Sequence, residues 1–144
     1  MQPHESTENY LETIYRLGLG GEPVRSIDVA GALDFARASV SVAVKGLRER
    51  GYVELSEEGH IALTDAGSAI AKSMYERHVL ISDWLIESGV DGKTAVSDAC
   101  RMEHAMSEQS FAILKRQIEE WRRTTPRGAD PDREARAADE SAPL

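Results

Sequence analysis

One short stretch of the chain, Cys100-Arg101-Met102-Glu103-His104, carries three kinds of donor atom at helical spacing. On a helix, positions i, i+3 and i+4 share a face, so the Cys100 thiolate, the Glu103 carboxylate and the His104 imidazole can converge. Sulfur, oxygen and nitrogen donors together suit a divalent transition metal. A buried free cysteine beside a surface Glu-His pair would look the same in sequence. Two other places bear on the choice. Asn9 and Glu12, three apart on a predicted first helix, could add an amide oxygen and a carboxylate. His78 lies among apolar neighbours in Arg77-His78-Val79-Leu80, the usual setting of a structural histidine, and adds little by itself. Cys100 is the single cysteine, so an internal disulfide is excluded. His4 and His60 fall in the N-terminus and in the predicted wing, and neither is assigned a role.

A second constellation lies between Arg25 and Arg50. Five basic residues (Arg25, Arg37, Lys45, Arg48, Arg50) stand against three acidic ones (Asp28, Asp34, Glu49), a local net charge of +2 in a chain of formal net charge −8. The total counts against nucleic-acid binding, while the local patch could dock on phosphates when two copies act together. The segment has helix-turn-helix character, in which the second helix presents its N-terminal residues to base edges in the major groove. Those residues are Arg37, Ala38, Ser39 and Ser41. The serines can bond to bases or phosphates, Ala38 permits close approach or a thymine-methyl contact, and Arg37 suits a phosphate or a guanine. Lys45, Arg48 and Arg50 lie further along and suit backbone contacts that fix register, with Ser26 a further candidate at the start of the preceding helix. Winged helices also serve as protein-interaction modules, and a solvated basic face gives the same pattern.

These side chains must be positioned by regular elements. Tyr10, Leu11, Ile14 and Leu17 predict a helix over about residues 6–19, with Ser6 or Thr7 as N-cap. Ile27, Val29, Ala30 and Leu33 predict a second helix over 26–33, and Val40, Val44 and Leu47 a third over about 38–50, ended by Gly51. Apolar and polar residues alternate on both sides of Ser56-Glu57-Glu58-Gly59, a β-hairpin signature. Thr64 caps a long helix over about 65–89, and helices over about 94–106 and 108–122 follow. Helix, helix-turn-helix and hairpin build a winged helix. The fold class is therefore mainly α: an N-terminal winged helix-turn-helix (three helices plus a β-hairpin wing) followed by a helical metal-binding and dimerisation domain.

The domain division expected is 1–72 for the winged helix, 73–123 for the helical part, and 124–144 for a Pro-, Ala- and charge-rich disordered tail. Met102, Met106, Ile113, Leu114 and Ile118, flanked by Phe111 and Trp121, form the apolar stripe of a dimer seam or of an intrachain core. In so small a unit a symmetric partner is the cheaper way to cover it, so a homodimer is expected. No run is long enough to span a bilayer and no signal peptide opens the chain, which predicts a cytoplasmic protein with no membrane partner.

Several stretches resemble the diphtheria toxin repressor and manganese transport regulator family of metal-dependent repressors. They are Thr7-Glu8-Asn9-Tyr10-Leu11-Glu12-Thr13-Ile14-Tyr15, the helix-turn-helix and wing, Tyr75-Glu76-Arg77-His78, and Ser97 to Ser107 around the Cys-Glu-His motif. Together they span about residues 6–122. The resemblance implies that His78, Cys100, Glu103 and His104 are metal ligands, as is Glu12 in the manganese-responsive branch. Asn9 falls where that branch has an aspartate and the iron-responsive branch a methionine. Ser82 and Val96 stand where the iron branch uses a glutamate and a histidine, and the chain matches a short form without the SH3-like domain.

The function this implies is a metal-dependent repressor of metal-homeostasis genes that binds double-stranded operator DNA and is not an enzyme. Metal is expected to join the first helix, through Asn9 and Glu12, to the helix bearing Cys100, Glu103 and His104. A thiolate in the ligand set tilts the choice to Fe(II), with Mn(II) next, and Zn(II) or Co(II) would bind in vitro. The nearest alternative is a winged-helix regulator that responds to another ligand without metal. A metalloenzyme using Glu103 as base is a further one, though no second acid, nucleophile or substrate-cradling loop accompanies it.

Overall fold

The computed structural model describes residues 3–125, which form two compact units meeting in sequence between Tyr75 and Glu76. The first unit contains α1 (Pro3–Gly18), α2 (Ser26–Leu33), α3 (Arg37–Glu49), β1 (Val53–Leu55), β2 (Ile61–Leu63) and the start of α4 (Asp65–Glu87). The second contains the rest of α4, then α5 (Gly92–Ala105) and α6 (Glu108–Thr124).

In the first unit the apolar face of each helix turns inward. Tyr10, Leu11 and Ile14 of α1, Val29 and Ala30 of α2, and Val40, Val44 and Leu47 of α3 meet Val24, Val53, Ile61 and Ala71 in one core. Burial of that core holds the tyrosine hydroxyl of Tyr10 above its ordinary pKa. α1 begins at Pro3, earlier than capping by Ser6 or Thr7 would allow, so both of those residues lie inside the helix. Proline suits a first turn because its missing N–H has no intrahelical acceptor to lose. α2 is entered differently: the Arg25 amide donates to Asp28 Oδ2 at 2.9 Å, and Asp34 leaves the helix in the left-handed region at φ 54°.

The hairpin pairs antiparallel in the register Val53↔Leu63, Glu54↔Ala62 and Leu55↔Ile61. Val24 adds an isolated bridge, its carbonyl accepting from the Ile61 amide at 2.7 Å. The wing is thereby tied to the chain just ahead of α2. Thr64 ends the hairpin and caps α4, accepting from the Gly67 amide at 3.2 Å while its hydroxyl donates to the Gly51 carbonyl at 2.7 Å. A Cβ on Gly67 would come within 2.1 Å of the Tyr52 carbonyl oxygen, so this close passage requires glycine.

In the second unit, Asp91 caps α5 by accepting from the Thr94 amide at 3.0 Å, and Ser107 caps α6 by accepting from Ser110 at 3.1 Å. Ile81, Ile86, Ala95, Val96, Ala99, Phe111 and Ile118 are buried. Phe111 and Ile118 therefore belong to the interior of a single chain, which removes them from the expected dimer stripe. Ile113 is 46% exposed, and Met102, Met106, Leu114 and Trp121 are partly so. Lys115 pairs with Glu76, and the Arg122 Nε donates to Glu87 Oε2 at 3.0 Å, both pairs joining α6 to α4. The expected tail lies outside the described residues, apart from Thr124 at the end of α6 and Thr125 beside it. Among the described residues no helix is long and apolar enough to cross a membrane.

Candidate metal centre and nucleic-acid interface

Two helices of the second unit supply the donor cluster. α5 places Cys100, Glu103 and His104 on one face, as the i, i+3, i+4 spacing requires, and α4 supplies His78. His78 Nδ1 lies 3.1 Å from Glu103 Oε2 and 3.7 Å from Cys100 Sγ. The second carboxylate oxygen, Oε1, lies 3.2 Å from His104 Nε2. One donor atom each from His78, Cys100 and Glu103 falls within 4.8 Å of the others. Ligand atoms held about 2.0–2.3 Å from a common ion are roughly 3–4.6 Å from one another, so the residues present fit a transition metal in size as well as in donor type.

The electrostatics of the cluster follow from its burial. Glu103 is 1% exposed and His78 3%, while Cys100 and His104 are half-buried. A carboxylate removed from water is costly unless paired and hydrogen-bonded, and here both oxygens face imidazole nitrogens. The backbone beneath His78 is held too, since the Ser82 hydroxyl donates to the His78 carbonyl at 2.7 Å. His78 thus stands among the donor atoms of Cys100 and Glu103, a placement that its apolar sequence neighbours alone could not reveal. Ser82, at a position where the iron branch has a glutamate, is fully buried and serves this backbone contact.

Asn9 and Glu12 lie one turn apart on α1, in the first unit. Glu12 is buried and its Oε1 is 3.8 Å from Arg16, while the main-chain carbonyl of Asn9 accepts from Thr13 at 2.7 Å. Their part in a metal site is carried by the sequence resemblance.

The candidate nucleic-acid residues are solvent-facing. Arg37, Ala38, Ser39, Ser41, Lys45, Arg48 and Arg50 are exposed, and Ser26 is half-exposed at the start of α2. Ala38, Ser41, Val42 and Lys45 share one face of α3, opposite the buried Val40, Val44 and Leu47. Val42 is 72% exposed there, a residue that sequence reasoning missed. The available signal was an apolar side chain out of phase with the core stripe. Arg50 is tied back to its own unit, donating to Thr7 Oγ1 at 3.1 Å and lying 5.6 Å from the Tyr52 ring centre. Arg25 is engaged with the wing: it donates to the Glu58 carbonyl at 2.8 Å and lies 3.1 Å from His60 Nε2. His60, assigned no role from sequence, is therefore part of what orients the hairpin turn.

Known proteins share both halves. Residues 4–61 match the iron dependent repressor N-terminal DNA binding domain, and residues 64–131 match the iron dependent repressor metal binding and dimerisation domain. The chain is 33% identical over 120 residues to an uncharacterized HTH-type transcriptional regulator of Methanocaldococcus jannaschii, covering 82% of this chain and 96% of that one. It is 32% identical over 105 residues to the iron-dependent repressor IdeR of Mycobacterium tuberculosis, covering 72% of this chain and 46% of IdeR. A solved manganese-dependent transcriptional repressor in complex with manganese superposes with a TM-score of 0.72 at 25% identity, covering 78% of this chain and 52% of that one. The chain thus spans about half the length of IdeR and of that solved repressor.

Proposed function

The chain belongs to the iron-dependent repressor family, and on that premise we propose that it is a metal-dependent, DNA-binding transcriptional repressor. The observation that carries this is the convergence of a nitrogen, a sulfur and a carboxylate oxygen from His78, Cys100 and Glu103, in a chain whose other unit exposes a recognition helix. His78, Cys100, Glu103 and His104 would hold the ion, with Glu12 and Asn9 as further ligands on the strength of the resemblance. A bound divalent ion supplies positive charge and directional bonds.

The residues of the chain do the rest. α4 carries His78 and α5 carries the other three donors, so the relative placement of those helices is what the cluster senses. In the first unit, α3 presents Arg37, Ala38, Ser39 and Ser41 to base edges, while Lys45, Arg48, Arg50 and Ser26 hold phosphates. Two recognition helices of a twofold dimer must lie one helical turn of DNA apart, so a small rearrangement changes affinity greatly. A bias of about 1–3 kcal/mol per coupled site is enough for a switch.

The thiolate of Cys100 favours Fe(II) as the signal, with Mn(II) next, and Zn(II) and Co(II) as effective ligands in vitro. The product is a cytoplasmic homodimer acting on double-stranded operator DNA that controls metal-homeostasis genes. Anaerobic binding to the DNA upstream of the chain's own gene, titrated with Fe(II) and Mn(II) and reversed with chelator, tests this. Binding that requires metal establishes the sensor. Binding indifferent to metal and chelator would leave a winged-helix regulator with another ligand.

A further inference from the structure

Arg77 immediately precedes His78 on α4, is only 4% exposed, and has no part in the ligand set. Its Nη1 donates to two main-chain carbonyls, Glu103 at 3.0 Å and Met106 at 2.7 Å. Its Cζ lies 5.0 Å from the centre of the Phe111 ring. Among the described residues its Nε has no hydrogen-bond partner and no carboxylate pairs with it. A guanidinium is always charged and is expensive to bury without a counter-charge. What compensates it here is the C-terminal end of α5, where unpaired carbonyls carry the negative end of the helix dipole, together with an aromatic face.

This places one side chain at three connected points. Glu103 is gripped at both ends by consecutive residues of α4: its carboxylate by His78 and its carbonyl by Arg77. Met106 is the C-cap of α5, and Phe111 lies in the first turn of α6. We propose that Arg77 is a positioning residue of the metal centre, one that aims Glu103 and His104 at the ion and ties the ligand-bearing end of α5 to α6. The inference rests on the assignment of His78, Cys100, Glu103 and His104 as ligands. Lysine is a poor replacement, because a compact, strongly hydrated ammonium is costlier to bury and stacks poorly on a ring.

The test is a cobalt(II) titration of the wild type, Arg77→Lys and Arg77→Met, following the thiolate-to-cobalt charge-transfer band and the d–d bands. Helix content and thermal midpoint of the metal-free proteins are measured alongside. Both variants are expected to keep wild-type helix content, to bind cobalt about ten- to a hundredfold more weakly, and to show an altered d–d envelope. A folded variant that binds cobalt within about twofold of wild type, with the same envelope, overturns the proposal, whatever its thermal midpoint. A wild type that gives no thiolate band overturns the ligand assignment, and the role of Arg77 with it. If neither variant folds, the wild type decides. The Arg77 guanidinium ¹⁵N resonance should shift on saturation with zinc(II), and an unmoved resonance overturns the proposal.

Discussion

His78 Nδ1 on α4 lies 3.1 Å from Glu103 Oε2 on α5, and both side chains are almost completely buried. The contact joins two helices whose residues are far apart in sequence, through groups that would each be costly to bury alone. Because Glu103 also faces His104 with its other oxygen, one carboxylate organises two imidazoles. Substituting Glu103 therefore acts both on metal binding and on what the metal-free protein can satisfy.

Glu103→Gln separates the two effects. The amide keeps a hydrogen-bonding group of the same shape beside His78 but loses the charge that a divalent ion needs. Metal-stimulated operator binding should vanish while metal-free helix content and dimer stay intact, and thermal stability should change by less than about 1–3 kcal/mol. His104→Ala should give the same loss of response. Operator binding titrated with metal, beside circular dichroism, is the check; two variants that both respond to metal normally would mean the site is elsewhere.

Cys100→Ser tests what the sulfur contributes. Exchanging a soft thiolate for a hard hydroxyl should weaken Zn(II), Co(II) and Fe(II) more than Mn(II), moving selectivity toward manganese. The cobalt charge-transfer band should disappear with it. Equal weakening of all four ions would show that Cys100 lies beside the ion without binding it.

The α5 triad was legible from sequence because helical spacing alone brings Cys100, Glu103 and His104 to one face. The partnership of His78 with them was legible only through the family resemblance, since spacing does not say how α4 meets α5, and a histidine beside Val79 and Leu80 reads as core. The winged helix was legible from its periodicities, and the hairpin from the alternation on both sides of the Glu-Glu-Gly turn, while its register came only from the paired backbone. The start of α1 was missed because Ser6 and Thr7 are good caps by type, and only the backbone shows the helix already formed. Phe111 and Ile118 were indistinguishable from Ile113 in sequence: a stripe wide enough for two faces does not say which one meets its own chain.

On α3, base-reading and phosphate-holding residues should part company. Arg37→Ala and Ser39→Ala should cost about 1–3 kcal/mol at the operator and relax preference at particular base pairs. Lys45→Ala and Arg48→Ala should weaken all sequences alike and flatten the logarithmic salt dependence by about one unit for each phosphate lost. Competition binding against mutated operators across a salt series distinguishes them, and a uniform loss from Arg37→Ala would reassign it to the backbone.

The cap of α5 predicts a pH effect. Hydrogen bonds from Thr94, from its side chain and then its amide, hold the Asp91 carboxyl below its ordinary value. A pKa lowered on folding contributes stability that is complete above the unfolded value of about 3.9 and fades as pH falls through the lower folded one. Asp91→Asn, which caps without titrating, should match the wild type near neutral pH and lose less stability on acidification below about pH 4. Thermal midpoints across that range are the measurement. Identical acid profiles would show that the cap does not titrate in the folded protein.

Ile113 is 46% exposed on α6, with Leu114 next to it and Trp121 two turns on, while Phe111 and Ile118 on the same helix are buried within their own chain. An isoleucine left half in water beside further apolar surface is best covered by a second copy, where the twofold operation brings the same residue from both sides. Ile113→Asp places two carboxylates in that seam and touches neither the buried face of α6 nor the ligands on α4 and α5. The variant should sediment as a monomer at micromolar concentration, still bind one cobalt(II) set with the wild-type spectrum, and lose most operator affinity because paired half-sites can no longer be engaged together. A variant that remains dimeric would place the subunit contact on another face. One that loses cobalt binding along with dimerisation would mean that the centre is built only in the assembled dimer.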